Sequence, residues 1–195
     1  MHIADGIIAT EALVAANAVC VGALYLTGRR ADPEEIPRMG FVGAALFAVS
    51  LLHFPLAGTS VHPSLLGLAG ILLGRRVVPV LFVVLLFQAL LFQHGGFLSV
   101  GLNSLNMAAG ALAASLIWRS PLGGETARAA LAGSVAVLIP AILMGVEFML
   151  SGYGRGMLYL LSVYWVVAVV EGVLAVTAVR FFRTAQPGIL EPEPT

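Results

Sequence analysis

The sequence predicts an all-α membrane protein with a single bundle of about seven transmembrane helices. Hydrophobic residues make up 59% of the chain and charged residues 10%, and the mean hydropathy of +1.00 is far above that of soluble proteins. The apolar stretches are continuous and do not alternate with polar residues, which favours helices over a β-barrel. We expect one transmembrane domain over residues 1–185 and a disordered tail, rich in proline and glutamate, over residues 186–195.

The predicted helices follow from the apolar segments of the chain. These are residues 7–27, 38–54, 62–74, 77–93, 101–118, 129–150 and 157–182. The third segment is the shortest, because its 13 residues reach only about 20 Å as a helix, whereas the hydrocarbon core is about 30 Å thick. A re-entrant segment is therefore the alternative to a third crossing.

The arginines decide between these two topologies. The chain has ten arginines and no lysine. With seven crossings and the amino terminus outside, nine arginines face the cytoplasm and only Arg155 lies outside. Without the third crossing the cytoplasmic count falls to four, or to six in the opposite orientation. Since basic residues collect on the cytoplasmic side, we predict seven crossings, an extracytoplasmic amino terminus and a cytoplasmic carboxy terminus.

This topology places all four histidines at the outer face: His2, His53, His62 and His94. The chain also begins Met1-His2, and His2 is too bulky for the usual removal of an initiator methionine. A terminal amine, the His2 amide nitrogen and its imidazole Nδ1 form a chelator that needs one more nitrogen to complete a square plane, a geometry suited to Ni(II) and Cu(II). The histidines therefore indicate an outward-opening metal site lined by imidazole.

The outer loops contain further candidates. In the loop over residues 53–63, Pro63 suits the first turn of a helix that Thr59 or Ser60 caps. His62 would then lie beside the positive end of the helix dipole, which favours a neutral, ligating ring. The alternative is that His62 only caps the helix or packs against the loop.

The next outer loop and the helix after it carry glycines and asparagines. Gly95 and Gly96 permit the backbone to approach another group closely. Asn103 and Asn106 share one face of the fifth segment, where they form either helix–helix hydrogen bonds or contacts that support a site.

Taken together, these stretches resemble the CbiM/NikM family, the substrate-binding membrane component of cobalt and nickel energy-coupling-factor transporters. The similar stretches are Met1-His2-Ile3 with Asp5-Gly6, Phe54-Pro55, Gly58-Thr59-Ser60 with His62, Leu72-Leu73-Gly74, Gln88-Ala89-Leu90-Leu91-Phe92, Gly95-Gly96, and Gly101 with Asn103, Asn106 and Met107. The last third matches more loosely. Glu171-Gly172 resembles an acidic-glycine pair of the family, whereas Tyr164-Trp165 stand where the family often has a histidine.

The resemblance implies a square-planar site made by the Met1 amine, two nitrogens of His2 and one nitrogen of His62. It also implies residues that support these ligands from behind. The candidates are Asp5, His53, Gln88, His94, Asn103 and Asn106. The bound ion would be a transported substrate, Co²⁺ or Ni²⁺, and no permanent cofactor is expected.

The resemblance also implies partners and a location. The partners would be a transmembrane coupling subunit, ATP-binding subunits and a small accessory membrane subunit in the inner membrane of a prokaryotic cell, without nucleic acid. The chain cannot pump alone, because a nucleotide-binding Gly-x-x-x-x-Gly-Lys motif needs a lysine. It also lacks His-Glu-x-x-His and Gly-x-Ser-x-Gly, which argues against an enzyme.

The alternative function is a stand-alone secondary carrier of transition metals. Such a carrier would favour an internal repeat and a relay of ionisable groups near the membrane midplane, and the sequence shows neither. Glu147 and Glu171 lie within apolar segments, where each is either functional or an interhelical hydrogen-bond partner. Small-residue faces, such as the one through Gly67, Gly70 and Gly74, predict close helix packing, and we expect at least one such face to contact the coupling subunit.

Overall fold

The computed structural model describes residues 2–56, 59–153 and 156–191, which form seven α-helices and one short antiparallel hairpin. The helices are α1 (Thr10–Gly28), α2 (Glu35–Ser50), α3 (Leu66–Leu73), α4 (Val77–Phe92), α5 (Val100–Arg119), α6 (Glu125–Leu150) and α7 (Met157–Ala185). The hairpin pairs β1 (Phe54–Leu56) with β2 (Thr59–Val61), with Phe54 opposite Val61. The prediction of a predominantly helical membrane protein is confirmed, and Arg155 lies outside the described residues.

Helices α3 and α4 run in opposite directions because the chain reverses at Gly74–Arg76. Along α3, Gly70 lies against the backbone of Ala111 and Gly74 lies against the Arg119 side chain, so α3 runs parallel to α5. Gly74 adopts φ +52°, a backbone conformation that glycine reaches without strain. The following 3-10 turn, Gly74–Arg76, leads directly into α4.

Helix α4 then returns alongside α2. Arg76 forms a salt bridge of 2.7 Å with Glu35 at the start of α2. At the other end, Gln88 Nε2 donates to Ser50 Oγ over 2.6 Å. The two contacts show that α2 and α4 are parallel, and that α3 and α4 form two separate passes through the bundle.

Five stretches are long and apolar enough to cross a membrane. They are Thr10–Gly28, Leu66–Phe92, Val100–Arg119, Glu125–Leu150 and Met157–Ala185. The second of these contains both α3 and α4, which the reversal at Gly74–Arg76 separates. Helix α3 has eight residues and covers only about 12 Å. The segment predicted as 62–74 is therefore helical only from Leu66; residues 62–65, which follow the hairpin, belong to neither a helix nor a strand.

The start of α3 differs from the prediction. Pro63 precedes the helix by several residues instead of occupying its first turn, and Leu65 adopts a left-handed conformation at the N-cap with no side-chain cap from its own segment. The cap comes from α7, because Glu171 Oε1 accepts hydrogen bonds from the backbone N–H of Ser64 and of Leu65. The prediction that Thr59 or Ser60 caps a helix at Pro63 is wrong, because the helix starts at Leu66 and the Glu171 carboxylate binds the amides that precede it.

The bundle has two chemically distinct ends. At one, the arginine end, the Arg76 guanidinium donates to carbonyl oxygens of Thr27, Arg29 and Arg30 at the C-terminus of α1. Arg183 of α7 pairs with Glu125 of α6 at the same end, over 2.6 Å. The four imidazoles meet at the opposite end, the histidine end. Apart from the pair His2 and His53, their ring centroids lie 4.4 to 5.5 Å from one another.

Small residues allow α3, α5 and α6 to pack closely. A Cβ added at Gly67 would lie 2.5 Å from Gly133 Cα, and one added at Gly70 would lie 2.0 Å from the Ala111 carbonyl oxygen. The predicted close packing is confirmed. Since α5 covers the face through Gly70 and Gly74, a coupling subunit would have to contact a different face, and that contact stays a prediction.

The chain after α7 returns to the arginine end. Pro187–Leu190 form a 3-10 turn, Leu190 is buried, and its carbonyl oxygen accepts a hydrogen bond from Trp118 Nε1 over 3.2 Å. Arg38 donates to the carbonyl oxygen of Ile189. The prediction of a disordered tail from residue 186 is wrong for this turn because Leu190 packs into the core, while residues 192–195 lie outside the described range.

The contact between α3 and α5 makes a stability prediction. Gly70→Ala places a methyl group against the Ala111 carbonyl and should cost about 1–3 kcal/mol of unfolding free energy, measured as a lower Tm in detergent. Gly40→Ala is the matched control, because its Cβ would meet nothing within 4 Å and alanine is the better helix former. Equal Tm values for the two variants would contradict the close packing.

Candidate metal centre

The first residues of the chain enter the histidine end and lie against the loop between α4 and α5. A Cβ added at Gly95, which has φ +82°, would lie 3.3 Å from the His2 Cβ. One added at Gly96 would lie 2.0 Å from Asp5 Oδ1. The two glycines thus permit the close approach that the sequence predicted, and the group that approaches is the amino-terminal tail itself.

Hydrogen bonds fix this tail to the start of α5. Ile3 is 1% exposed; its N–H donates to Asn103 Oδ1 over 2.9 Å. The Ile3 carbonyl accepts from Asn103 Nδ2 over 3.0 Å and from Ser99 Oγ over 2.6 Å. The Asp5 carboxylate accepts from the N–H groups of Leu98 and Ser99 over 3.1 and 2.9 Å, where the helix dipole favours a negative charge. The tail is therefore held at two places, the backbone of Ile3 and the side chain of Asp5.

Three imidazoles lie within reach of one ion. Ligating nitrogens of His2, His62 and His94 all lie within 4.8 Å of one another. With metal–nitrogen bonds of about 2 Å, nitrogens that share an ion lie about 3–4 Å apart, so the three rings would need to move together by about 1 Å each to bind one ion. The rings of His2 and His62 are stacked, with centroids 5.3 Å apart and planes inclined by 14°.

Burial keeps these rings neutral. Burial away from water, together with repulsion from neighbouring positive charges, lowers the pKa of His62 to about 3 and the pKa of His94 to about 4. Burial likewise holds the pKa of His2 well below its ordinary value. At neutral pH all three rings therefore keep an unprotonated nitrogen, the form that binds metal.

The hydrogen bonds of His62 identify its ligating atom. His62 Nδ1 lies 3.0 Å from the Pro63 carbonyl oxygen, which can only accept, so Nδ1 carries the proton and Nε2 keeps the lone pair. Nε2 is buried and has no hydrogen-bond partner among the described residues, and the same holds for His94 Nε2 and for both ring nitrogens of His2. Buried polar atoms without partners are costly, and a bound cation would satisfy them.

The other predicted residues differ in their contacts. Asp5 and Asn103 hold the tail, and His53 reaches the cluster, with its ring centroid 5.2 Å from that of His94. Gln88 lines a cavity beside His94. Asn106 does not contact the histidines and instead donates to both carboxylate oxygens of Glu147, over 3.0 and 2.8 Å.

Met1 lies outside the described residues, so its predicted amine ligand stays a prediction. The structure adds Ser99 and Ser64, which the sequence did not indicate: Ser99 bonds the tail, and Ser64 Oγ donates to Glu171 Oε1 over 3.0 Å. Glu147 and Glu171 thus both form hydrogen bonds between separate segments, one of the two roles considered for them. Asn103 could be found from the sequence because it lies three residues from Asn106 in an apolar segment. Serines are too common in loops for their positions to indicate such a role.

The clamp on Ile3 predicts an effect on metal affinity. Asn103→Leu removes the hydrogen bond to the Ile3 N–H and one of the two hydrogen bonds to the Ile3 carbonyl. The tail should then loosen, and nickel affinity, measured by isothermal titration, should fall about 10–100-fold. Ser104→Ala is the matched control one position further along α5, because Ser104 Oγ bonds only the Val100 carbonyl of its own helix. An unchanged affinity in Asn103→Leu would show that the clamp does not position His2.

Fold and site together define a multi-pass membrane protein with a cluster of imidazoles, able to bind a metal ion, at one end of the bundle. Residues 2–189 match the family model CbiM, described as the cobalt uptake substrate-specific transmembrane region. The chain therefore belongs to the CbiM family, and the predicted family resemblance and location in a prokaryotic cell membrane are confirmed.

Individual relatives agree with this assignment. The cobalt transport protein CbiM of Sorangium cellulosum is 30% identical over 213 residues, covering 98% of this chain and 95% of the relative. A putative fused cobalt transport protein CbiMQ of Methanocorpusculum labreanum is 30% identical over 215 residues, covering 97% of this chain and 36% of the relative. The chain spans between 36% and 62% of the length of the first curated relatives it matches.

A solved structure shares the fold. The crystal structure of a truncated transition metal transporter superposes with a TM-score of 0.82 at 24% sequence identity, covering 95% of this chain and 99% of that chain. At this identity the likeness concerns the fold alone.

Proposed function

We propose that this chain is the substrate-capture component of an energy-coupling-factor transporter, and that it binds Co²⁺ or Ni²⁺ at the extracytoplasmic face. The observation that carries the proposal is the cluster of His2, His62 and His94, whose ligating nitrogens lie within 4.8 Å of one another. Relatives named as cobalt and nickel transport proteins support the choice of cargo.

The orientation of the bundle follows from its two ends. Since basic residues collect on the cytoplasmic side of membrane proteins, the arginine end faces the cytoplasm and the histidine end faces outward. In this orientation α3 and the chain that precedes it make one crossing together, which gives seven crossings. The amino terminus is then extracytoplasmic and the carboxy terminus cytoplasmic.

The ion is held by four nitrogens in a plane. The proposed ligands are the Met1 amine, the amide nitrogen and Nδ1 of His2, and Nε2 of His62. The unpartnered nitrogens of the two histidine rings support this set. A square plane of nitrogens suits Ni(II) on geometry, whereas the names of the relatives include both cobalt and nickel, so the choice between these ions rests on the whole transporter.

Import requires partner subunits. The chain has no nucleotide-binding motif, so we assign ATP hydrolysis to ATP-binding subunits that act through a transmembrane coupling subunit, with a small accessory membrane subunit. The fused relative, of which this chain covers 36%, supports the association with a further protein. The carboxylates of Glu147 and Glu171 are each held by hydrogen bonds to another segment, which disfavours the proton relay of a stand-alone carrier.

Vesicle transport tests this proposal. The chain reconstituted alone should bind nickel or cobalt at its outer face and accumulate little inside, whereas addition of the coupling and ATP-binding subunits with ATP should drive uptake against a gradient. The His62→Ala variant in the same vesicles controls for leakage. Uphill uptake by the lone chain, driven by a proton gradient, would contradict the capture role.

A further inference from the structure

A cavity lies beside the histidine cluster, between the outer ends of α2 and α4. Its volume is about 280 Å³, and it is lined by Ser50, Leu51, His53, Gln88, Phe92 and His94. Six water molecules occupy about 180 Å³ at their volume in the liquid. The cavity is therefore large enough for a divalent ion that still carries much of its hydration shell.

One of the residues that line the cavity has a buried oxygen with no partner among the described residues. Gln88 is 3% exposed, and Ser50 Oγ donates its only proton to the Phe47 carbonyl over 2.7 Å. The 2.6 Å contact between Gln88 and Ser50 must therefore be donated by the Gln88 amide nitrogen. This fixes Gln88 Oε1 on the other side, where it has no hydrogen-bond partner among the described residues.

Two imidazoles complete the ligand set. His53 is exposed and His94 is half-buried, their ring centroids lie 5.2 Å apart, and Nε2 of His94 also lacks a partner among the described residues. Imidazole nitrogens together with an amide oxygen and water suit borderline divalent ions such as Ni(II) and Co(II). The residues that line the cavity thus carry donor atoms that could bind a cation after a small rotation of their side chains.

The histidines form a graded series from water to the interior. His53 is exposed, His94 is half-buried, and His62 is 9% exposed. The ring of His94 lies 5.2 Å from His53, 5.5 Å from His62 and 4.4 Å from His2. Among these rings, His94 both lines the cavity and belongs to the cluster of nitrogens within 4.8 Å. It can therefore bind an ion in the cavity and pass it to the cluster.

We propose that this cavity is an entry site. A partly hydrated divalent transition-metal ion is first held by His53 and Gln88, and His94 then passes it to the centre at His2 and His62. The inference rests on the proposed capture function, since it adds a path to the same final site. It gives His53 a role in how fast the ion arrives and leaves, without a role in how tightly it is finally bound.

Binding kinetics test the entry site. The purified full chain is mixed with Ni²⁺ by stopped flow, and release is followed with excess chelator. His53→Ala should lower the association and dissociation rates by a common factor of about ten, within the range in which association rates of related variants differ, and leave Kd unchanged. A group that contacts the ion only on its way changes the barrier and neither end state.

Leu51→Ala is the matched control, because Leu51 lines the same cavity and has no ligating atom; its rates should equal those of the unmodified chain. Unchanged rates in His53→Ala would overturn the entry site. A raised Kd with an unchanged association rate would also overturn it, because His53 would then support the final centre. Absence of Ni²⁺ and Co²⁺ binding by the unmodified chain would instead reject the proposed function itself.

Discussion

A chain extended by two glycines before Met1 should lose nickel and cobalt binding by more than about 100-fold, beyond the range of residues that only support ligands. Two residues are needed, because a single glycine would create Gly-Met-His, whose amine, two amides and imidazole supply a complete plane of four nitrogens. The extension turns the Met1 amine into a peptide nitrogen and moves the terminal amine out of its chelate ring with the His2 amide. The tail cannot slide back to compensate, because Asn103 clamps Ile3 from both sides and Asp5 is bonded to the start of α5. Isothermal titration in detergent gives the affinity.

The control for this experiment is two glycines added after Thr195, at the other terminus of the chain. It should leave the affinity unchanged while the yield and Tm of the two extended proteins agree. If the amino-terminal extension bound nickel as tightly as the control, the terminal amine would not be a ligand, and the side chains of the histidines would have to supply the whole site.

The second large effect concerns the histidines themselves. His2→Ala and His62→Ala should each abolish measurable binding, because each removes a nitrogen from a set of four and leaves an incomplete plane. His94→Ala should lower affinity by about 10–100-fold as a neighbour of the ligands. Titration of the three variants beside His53→Ala, whose Kd should not change, separates these roles. Equal losses at all four positions would replace the square plane by a site of four imidazoles.

Much of the architecture could be predicted because it depends on local properties of the chain. Continuous apolar runs marked the helices, and the partition of arginines separated the arginine end from the histidine end. That partition alone grouped His2, His53, His62 and His94, which the structure places together. The short third helix could not be predicted, because its cap is Glu171, 107 residues from Ser64 in sequence.

The asparagines show where local reasoning ends. Their spacing correctly placed Asn103 and Asn106 on one helical face, yet one holds the backbone of Ile3 and the other holds Glu147 on α6. Both pairings satisfy the same chemical need for a partner in an apolar helix. Which partner each finds depends on where the tail and α6 lie, and spacing within one helix does not contain that information.

The bond between Glu171 and the start of α3 has a mechanical consequence. Ser64, which Glu171 holds through both its backbone N–H and its hydroxyl, is two residues from His62. A shift of α7 must therefore either break these hydrogen bonds or drag the His62 ring with it, away from His2 on the separately anchored tail. Because metal–nitrogen bonds of about 2 Å tolerate little stretching, a shift of α7 would weaken the binding of an ion at the proposed site.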